Sequence, residues 1–368
     1  MTIGFLSHLD LNLYAFRLPV MLELKRLGHT PIAIAPDGKY LQMIRDAGVK
    51  CVTYEISRKS LNPLKELKAI QNIYHAIKPL KLDILHTFTA KPNIYGTLAG
   101  KAAKVPKIIN LVEGLGSFYL EDDLKSKVVR TVIEQLYKQI FKLSNVVMFV
   151  NSDDPEYMVS KNIIPLEKVY KIDGVGIDTD EWISKNSQND DGIVKIIMVG
   201  RAIRHKGVVE FYEAARALKA KYPNTIFVYV GGVDEGNHSA LDEAYMRSNP
   251  AVEYLGERSG VRELNDEADI FVLPSYREGL PRTVLEAMSL GKPVIATNVS
   301  GCRDCVQNGE TGYLVEPKNI YQLGEAIEKL VIDKEKRVKF GQNGREIAIA
   351  RFGIDKIIKA HLKIYGVI

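Results

Sequence analysis

Short β-rich runs alternate with longer amphipathic runs along almost all of this 368-residue chain. That alternation restricts the fold to α/β before any single residue is weighed. In the first half, strands are predicted at 3–7, 31–35, 50–54, 83–86, 107–111, 146–150 and 169–172. Between most of them, at 11–27, 63–77, 93–103 and 124–143, apolar residues recur every three or four positions, which predicts helices. Such a series builds a parallel sheet covered on both faces. Turn-rich Asp173-Gly174-Val175-Gly176-Ile177-Asp178 breaks the series, and 185–192 is polar and aperiodic. The alternation then restarts, with strands at 194–199, 225–230, 251–255, 270–273 and 293–297 and helices at 208–221, 240–248, 261–267 and 283–290. Two domains follow, 1–175 and 176–352. Ligands of open parallel sheets bind beyond the carboxyl ends of the strands, so two such edges facing each other would make an interdomain cleft.

Composition excludes several classes. No uninterrupted apolar run reaches the ~18 residues of a membrane span. The N-terminal MTIGFLSHLD enters a strand directly instead of showing a basic segment before an apolar one, so a cytoplasmic location is expected. The cysteines are Cys51, Cys302 and Cys305, too few and too unevenly placed for a disulfide scaffold. Cys302-Arg303-Asp304-Cys305 lacks the second ligand pair or redox context that would make C-x-x-C functional. From Arg17 to Lys142 the chain has 21 basic and 11 acidic residues, a net of +10, and the remainder nets −5. A basic first half suits an anionic partner such as a phosphorylated lipid or an anionic membrane surface. It lacks the basic-and-aromatic platform of a single-strand binder, so nucleic acid is not expected.

Two stretches carry the chemistry. In Gly200-Arg201-Ala202-Ile203-Arg204-His205-Lys206-Gly207, a glycine turn leaves a strand and a helix begins near Gly207. Arg201, Lys206 and the helix-start N–H groups can then converge on a phosphate. In Glu278-Gly279-Leu280-Pro281-Arg282-Thr283-Val284-Leu285-Glu286, a strand ends, a tight loop forms and a second helix begins. Gly279 and Leu280 can turn N–H groups toward an anion, and Glu278 and Glu286 can accept hydrogen bonds from hydroxyl groups. Glu286 lies one turn inside its helix and is tilted toward the helix start.

Glu278 and Glu286, seven residues apart, resemble the E-x7-E signature of retaining glycosyltransferase family 4. Gly200-Arg201 with Lys206-Gly207 resembles its phosphate-binding turn, and the likeness spans essentially the whole chain. The resemblance implies the GT-B fold, two facing Rossmann-like domains, with a C-terminal helix (353–368) returning to the first. It implies that Arg201 and Lys206 hold a nucleotide diphosphate, that Glu286 holds the ribose and that Glu278 contacts the donor sugar. The uracil would lie against the loop at Glu257 and Arg258. Ser57-Arg58-Lys59-Ser60-Leu61-Asn62-Pro63 and Val112-Glu113-Gly114-Leu115-Gly116-Ser117-Phe118-Tyr119 are similar to the N-acetylgalactosaminyltransferases of bacterial N-linked glycan assembly within that family. The implied substrates are UDP-GalNAc and an undecaprenyl-diphosphate-linked diacetylbacillosamine, joined α-1,3. The implied location is the inner face of the cell membrane, with peripheral attachment. Arg58, Lys59, Lys65, Lys68 and Lys91 are candidates to meet the lipid diphosphate.

The chain departs from many relatives at two places. The loop after the first strand, Ser7-His8-Leu9-Asp10-Leu11, has no glycine. Glu113 stands where His is common, and it could accept a donor-sugar hydroxyl or the acceptor's proton. No D-x-D segment lies at a strand end, so no metal and no other cofactor is expected. Arg201, Lys206, Glu278 and Glu113 are the expected catalytic set. The alternatives are another UDP-sugar-dependent transferase of lipid-linked or surface polysaccharide synthesis, a GT-B sugar-nucleotide epimerase, and a sugar-binding protein. The last leaves the Arg201–Lys206 turn unexplained.

Overall fold

A computed structural model of the protein describes residues 1–56, 62–185 and 192–368. The chain divides into two compact units, Met1–Val175 with Asp355–Ile368, and Gly176–Ile354.

The first unit runs β1 (Thr2–Leu6), α1 (Asp10–Arg26), β2 (Thr30–Ala35), α2 (Lys39–Asp46), β3 (Lys50–Thr53), α3 (Pro63–Ile77), β4 (Ile84–Phe88), α4 (Ala90–Ala102), β5 (Lys107–Val112), α5 (Leu124–Leu143), β6 (Val146–Phe149), α6 (Asp153–Ser160) and β7 (Val169–Lys171). Among the described residues its sheet has the order β3-β2-β1-β4-β5-β6-β7, parallel throughout. The strands are apolar on both faces, as helix-covered parallel strands must be. Phe5, Leu6, Ile34, Leu85, Leu111 and Phe149 are fully buried.

Local chemistry marks the helix starts. The Asn62 side chain accepts from the Leu64 and Lys65 N–H groups ahead of Pro63, and Asp123 accepts from Ser126 N–H. Lys168 donates to the carbonyls of Phe141, Lys142 and Ser144 at 2.9 Å each, closing the C-terminal end of α5 with a cation.

The second unit runs β8 (Val194–Val199), α7 (Val208–Lys221), β9 (Thr225–Val230), α8 (Glu243–Arg247), β10 (Val252–Gly256), α9 (Val261–Asp266), β11 (Ile270–Leu273), α10 (Arg282–Ser289), β12 (Val294–Thr297), α11 (Cys302–Cys305), β13 (Gly312–Val315), α12 (Ile320–Val331) and α13 (Lys334–Ile347). Its sheet order among the described residues is β10-β9-β8-β11-β12-β13, again parallel. The helix expected at 240–248 is shorter. Asp242 caps it by accepting from Tyr245 N–H at 2.7 Å, and Ala240 instead bridges Ile203. β13, α12 and α13 lie past the last predicted strand. α13 is rich in charge and holds two glycines, so its periodicity is faint although Phe340, Gly341 and Gly344 are buried. Cys302 and Cys305 are both buried in α11, and burial pushes the Cys302 thiol above its usual range.

The last helix, α14 (Ile354–Tyr365), packs on the first unit's sheet. The Tyr365 hydroxyl and His86 Nδ1 share a hydrogen bond of 2.7 Å, and the Tyr365 ring meets Phe5 edge-on with centroids 6.2 Å apart. Lys107 Nζ donates to the Ile364 carbonyl at 2.5 Å. Tyr365 and His86 are both buried, so removing the hydroxyl leaves His86 Nδ1 without its partner. Tyr365→Phe should lower unfolding stability by about 1–2 kcal/mol, measured by urea denaturation with the midpoint falling and the slope unchanged.

Candidate functional site

The order of the second sheet explains why two stretches some seventy residues apart in sequence come together. β8 and β11 are neighbours, and the chain's direction of winding reverses between them. The loops leaving their carboxyl ends therefore lie side by side at the switch point where parallel sheets hold ligands. One is the 200–207 turn and the other is the 274–281 loop. They are joined by a backbone hydrogen bond from Tyr276 N–H to the His205 carbonyl at 2.9 Å.

Side chains complete the junction. Lys206 Nζ donates to Glu278 Oε1 at 2.6 Å, and the Ser275 hydroxyl donates to the same oxygen at 2.6 Å. Both charged groups are largely sheltered, with 21% and 11% of their side chains exposed, so the attraction is screened less than in a surface pair. Gly207, at φ 77°, ends the turn and opens α7. A side-chain carbon there would lie 2.1 Å from the Pro274 carbonyl oxygen. Only glycine lets the two loops approach this closely. Gly301, at φ 78°, does the same beneath Gly279, whose carbonyl oxygen would be 2.4 Å from an added carbon.

The N-termini of α7 and α10 open from these two loops, so their positive dipole ends belong to the same edge. Arg201 lies on the same turn, but its guanidinium reaches Asp234 Oδ2 at 2.6 Å rather than either predicted glutamate. Glu286, one turn into α10, accepts from Arg282 Nε at 2.9 Å and is buried. Burial raises its carboxyl to about 7, with Arg282 pulling the other way. Glu257 and Arg258 are exposed on the loop after β10, with Glu257 against Gly232. The predicted phosphate and sugar residues of this unit are thus on adjacent loops, with Lys206 and Glu278 in direct contact.

Ser275, Asp234 and Arg282 are partners that sequence reading missed. Ser275 sits three residues before Glu278, and Arg282 is one helical turn before Glu286, a spacing that signals the pair. Asp234 carries no such mark, because only the β8–β9 pairing brings its loop to Arg201.

Glu113 belongs to the first unit, in the loop after β5. Asn12 Nδ2 donates to its two carboxylate oxygens at 3.2 and 3.1 Å, and Arg17, fully buried, forms an ion pair with Oε1. Arg17 is marked in the sequence by standing on the buried stripe of α1 that Leu13, Val20, Met21 and Leu24 otherwise line. The glycine-free loop after β1 is held by side chains instead. His8 Nδ1 and the Thr89 hydroxyl meet at 2.7 Å, across the β1/β4 switch point.

Of the cations expected to meet a lipid diphosphate, Lys91 is otherwise engaged. It pairs with Glu66 at 2.9 Å, and Tyr95 donates to the same carboxylate at 2.6 Å, because α3 and α4 pack side by side. Lys65 and Lys68 are exposed on α3, and Arg58 and Lys59 lie outside the described residues.

The raised carboxyl of Glu286 makes a signed prediction. The folded chain holds that proton more tightly than the unfolded chain, whose glutamate titrates near its ordinary value. The resulting stability is fully present below about pH 4.5 and is lost as pH rises through about 7. Thermal melts across this range should show wild type losing up to about 3 kcal/mol more than Glu286→Gln. Parallel curves for the two proteins would mean that the carboxyl titrates normally.

Comparison with known proteins agrees with this geometry. Residues 178–347 match the family model of "Glycosyl transferases group 1", and residues 5–151 match "Glycosyl transferase 4-like". The chain is 39% identical to the N,N'-diacetylbacillosaminyl-diphospho-undecaprenol alpha-1,3-N-acetylgalactosaminyltransferase of Campylobacter jejuni, over 99% of this chain and 98% of that one. It is 27% identical to the UDP-Gal:alpha-D-GlcNAc-diphosphoundecaprenol alpha-1,3-galactosyltransferase of Escherichia coli, over 81% and 79% of the two chains. Among solved structures, a Rickettsia africae glycosyltransferase superimposes with a TM-score of 0.79 at 22% identity, over 99% and 97% of the chains. Anabaena HepE, solved with UDP and glucose, gives 0.79 at 17% identity over the full length of both, a likeness of fold. The two parallel-sheet units, the Lys206–Glu278 junction and the full-length relatedness make this chain a glycosyltransferase of family 4, with the GT-B fold.

Proposed function

We propose that this enzyme transfers N-acetylgalactosamine from UDP-GalNAc to an undecaprenyl-diphosphate-linked diacetylbacillosamine, forming an α-1,3 linkage with retention of configuration, in protein N-glycan assembly. The observation that carries the proposal is the 39% identity to the Campylobacter transferase of that name over almost the whole of both chains. The Lys206–Glu278 junction supports it at the level of chemistry. When the donor diphosphate enters, Lys206 exchanges the Glu278 carboxylate for phosphate oxygens, and Glu278 becomes available to a donor-sugar hydroxyl. Arg201 makes the corresponding exchange from Asp234. Glu286 takes the ribose, and Glu257 and Arg258 border the uracil.

In the reaction, the acceptor hydroxyl attacks the anomeric carbon from the face that UDP leaves. The bond from that carbon to the β-phosphate oxygen breaks, and this phosphate takes the hydroxyl's proton. As that bond breaks, negative charge builds on the departing UDP, at the edge where Arg201, Lys206 and the N-termini of α7 and α10 lie. These cations supply the charge stabilisation that a divalent ion gives elsewhere, so no metal is required.

On this reading the enzyme works at the cytoplasmic membrane face, where a lipid-linked acceptor would lie. No helix among the described residues is long and apolar enough to cross a membrane. Peripheral attachment is supported by α5, which leaves Leu124, Val128, Val132 and Leu136 exposed at 79%, 55%, 54% and 43%. Lys125, Lys127 and Lys142 are exposed among them. The one carboxylate of α5, Glu134, is turned to the Tyr157 hydroxyl. An apolar stripe with cations, whose exposed carboxylates Asp122 and Asp123 are confined to the helix start, suits an anionic bilayer surface.

Two measurements test the proposal. With UDP-GalNAc and the lipid-linked acceptor, turnover should survive EDTA and fall about 10²–10³-fold in Lys206→Ala. Loss of activity in EDTA would overturn the metal-free mechanism. Interconversion of UDP-sugars with no transfer would point to an epimerase. In vesicle sedimentation, wild type should pellet with phosphatidylglycerol-rich vesicles. Val128→Ser/Val132→Ser should stay in the supernatant with turnover on a short-chain, water-soluble acceptor unchanged, and equal pelleting would remove α5 as the membrane face.

A further inference from the structure

Arg17 is among the largest fully buried side chains of the protein, and it is charged. Its only ion-pair partner among the described residues is Glu113, and its Nε and Nη1 have no hydrogen-bond partner. The guanidinium lies over the Phe88 ring, 4.5 Å from the centroid. His86 and His361 stand next to it, and burial together with the Arg17 charge keeps both imidazoles in the neutral form, His361 being lowered to about 4. Tyr365, from α14, closes the wall through its hydrogen bond to His86. Arg17 is thus a cation in a dry compartment made by α1, β4 and α14, and one carboxylate compensates it.

A stability argument does not explain such a residue. An apolar side chain at this position would continue the Leu13–Val20–Leu24 stripe, and replacing a buried ion pair by well-packed apolar groups is commonly neutral or better. What Arg17 does supply is direction. Glu113 sits in a loop with Gly114 at φ 139° and Gly116 at φ 87°, a backbone with little stiffness of its own. Arg17 fixes one carboxylate oxygen from below, and Asn12, from the first turn of α1, donates to both oxygens. The carboxylate still keeps 21% of its side chain exposed at the carboxyl edge of the first sheet. Both oxygens are therefore held by protein donors, and one edge is left for a ligand.

We propose that Arg17, assisted by Asn12, is the positioning residue that holds the Glu113 carboxylate as a rigid hydrogen-bond acceptor for a sugar hydroxyl in the transfer reaction. The inference rests on Glu113 acting as a sugar-contacting carboxylate. Arg17 itself touches no substrate, and its effect passes through Glu113 alone. An acceptor displaced by about 1 Å can cost about 100-fold in rate, so the cost of losing Arg17 falls on turnover.

The test is kinetic, on full-length enzyme with UDP-GalNAc and the lipid-linked acceptor. Turnover is normalised to the folded fraction from circular dichroism, and UDP affinity is measured by calorimetry. Arg17→Met is expected to lower kcat about 100-fold, with UDP affinity unchanged and Arg17→Lys restoring part of the loss. Glu113→Gln should lose a comparable factor. The double variant should be no slower than Glu113→Gln, because Arg17 has nothing left to position. Asn12→Ala, which leaves the ion pair in place, should lower kcat of the folded enzyme about 10-fold, so the idea stays testable if Arg17→Met does not fold. Losses that multiply in the double variant, or wild-type turnover in folded Arg17→Met or in Asn12→Ala, overturn it. Wild-type turnover in Glu113→Gln beside a slow Arg17→Met overturns it too, and leaves the transferase assignment standing.

Discussion

Parallel strand pairing is the constraint on which the rest of this enzyme depends. Two neighbouring parallel strands cannot be joined by a tight turn; each crossover carries a helix back along the sheet. Every loop that leaves a strand's carboxyl end therefore emerges at one edge, and every helix that follows begins there. In the second unit this brings the 200–207 turn beside the 274–281 loop, with two helix N-termini above them. In the first it brings His8 to Thr89 and Asn12 to Glu113. The chemistry is carried by loops, but the sheets decide which loops are neighbours.

The cations proposed to meet the diphosphate are each held by a carboxylate of their own unit. Lys206 and Arg201 each hold a carboxylate at 2.6 Å, from Glu278 and Asp234. A partly sheltered ammonium with no partner would bear a desolvation cost, and a carboxylate at the same sheet edge offsets it. The Arg201 pair is half exposed and correspondingly weak, whereas the Lys206 pair is sheltered and shares the Ser275 hydroxyl. In the proposed reaction, donor binding exchanges these partners and ties diphosphate recognition by Lys206 to the release of Glu278 for the sugar. Arg17 is the opposite case. It is fully buried and its ion-pair partner among the described residues is Glu113, which under the proposal above it orients.

Much of the architecture was legible because the strands are short, apolar and separated by strongly periodic helices. The boundaries 63–77, 124–143, 194–199, 208–221, 225–230 and 270–273 coincide with the observed elements. Legibility failed where the local signal is weak or is overridden. α13 disperses its few buried positions among charges, and the helix around Ala240 is cut short by the Asp242 cap. At the site, Lys206, Glu278 and Glu286 could be named from motif and spacing, but Asp234, Arg282 and Ser275 gain their roles only by contact. Lys91, a candidate for the lipid diphosphate by its place in a basic stretch, gains its Glu66 partner only through the packing of α3 on α4.

The sequence by itself determined the α/β class, the restart of the alternation after residue 178, the glycine turn with its two cations and the paired glutamates. Each of these is written in periodicity or in residues only a few positions apart. Tertiary structure alone decided that β8 lies next to β11, so that Lys206 meets Glu278, and that α14 and β4 enclose Arg17 against Glu113. The physical reason is that strand order and burial are set by pairing between distant segments. Burial in turn decides whether a charge is screened by water or must find one partner and keep it.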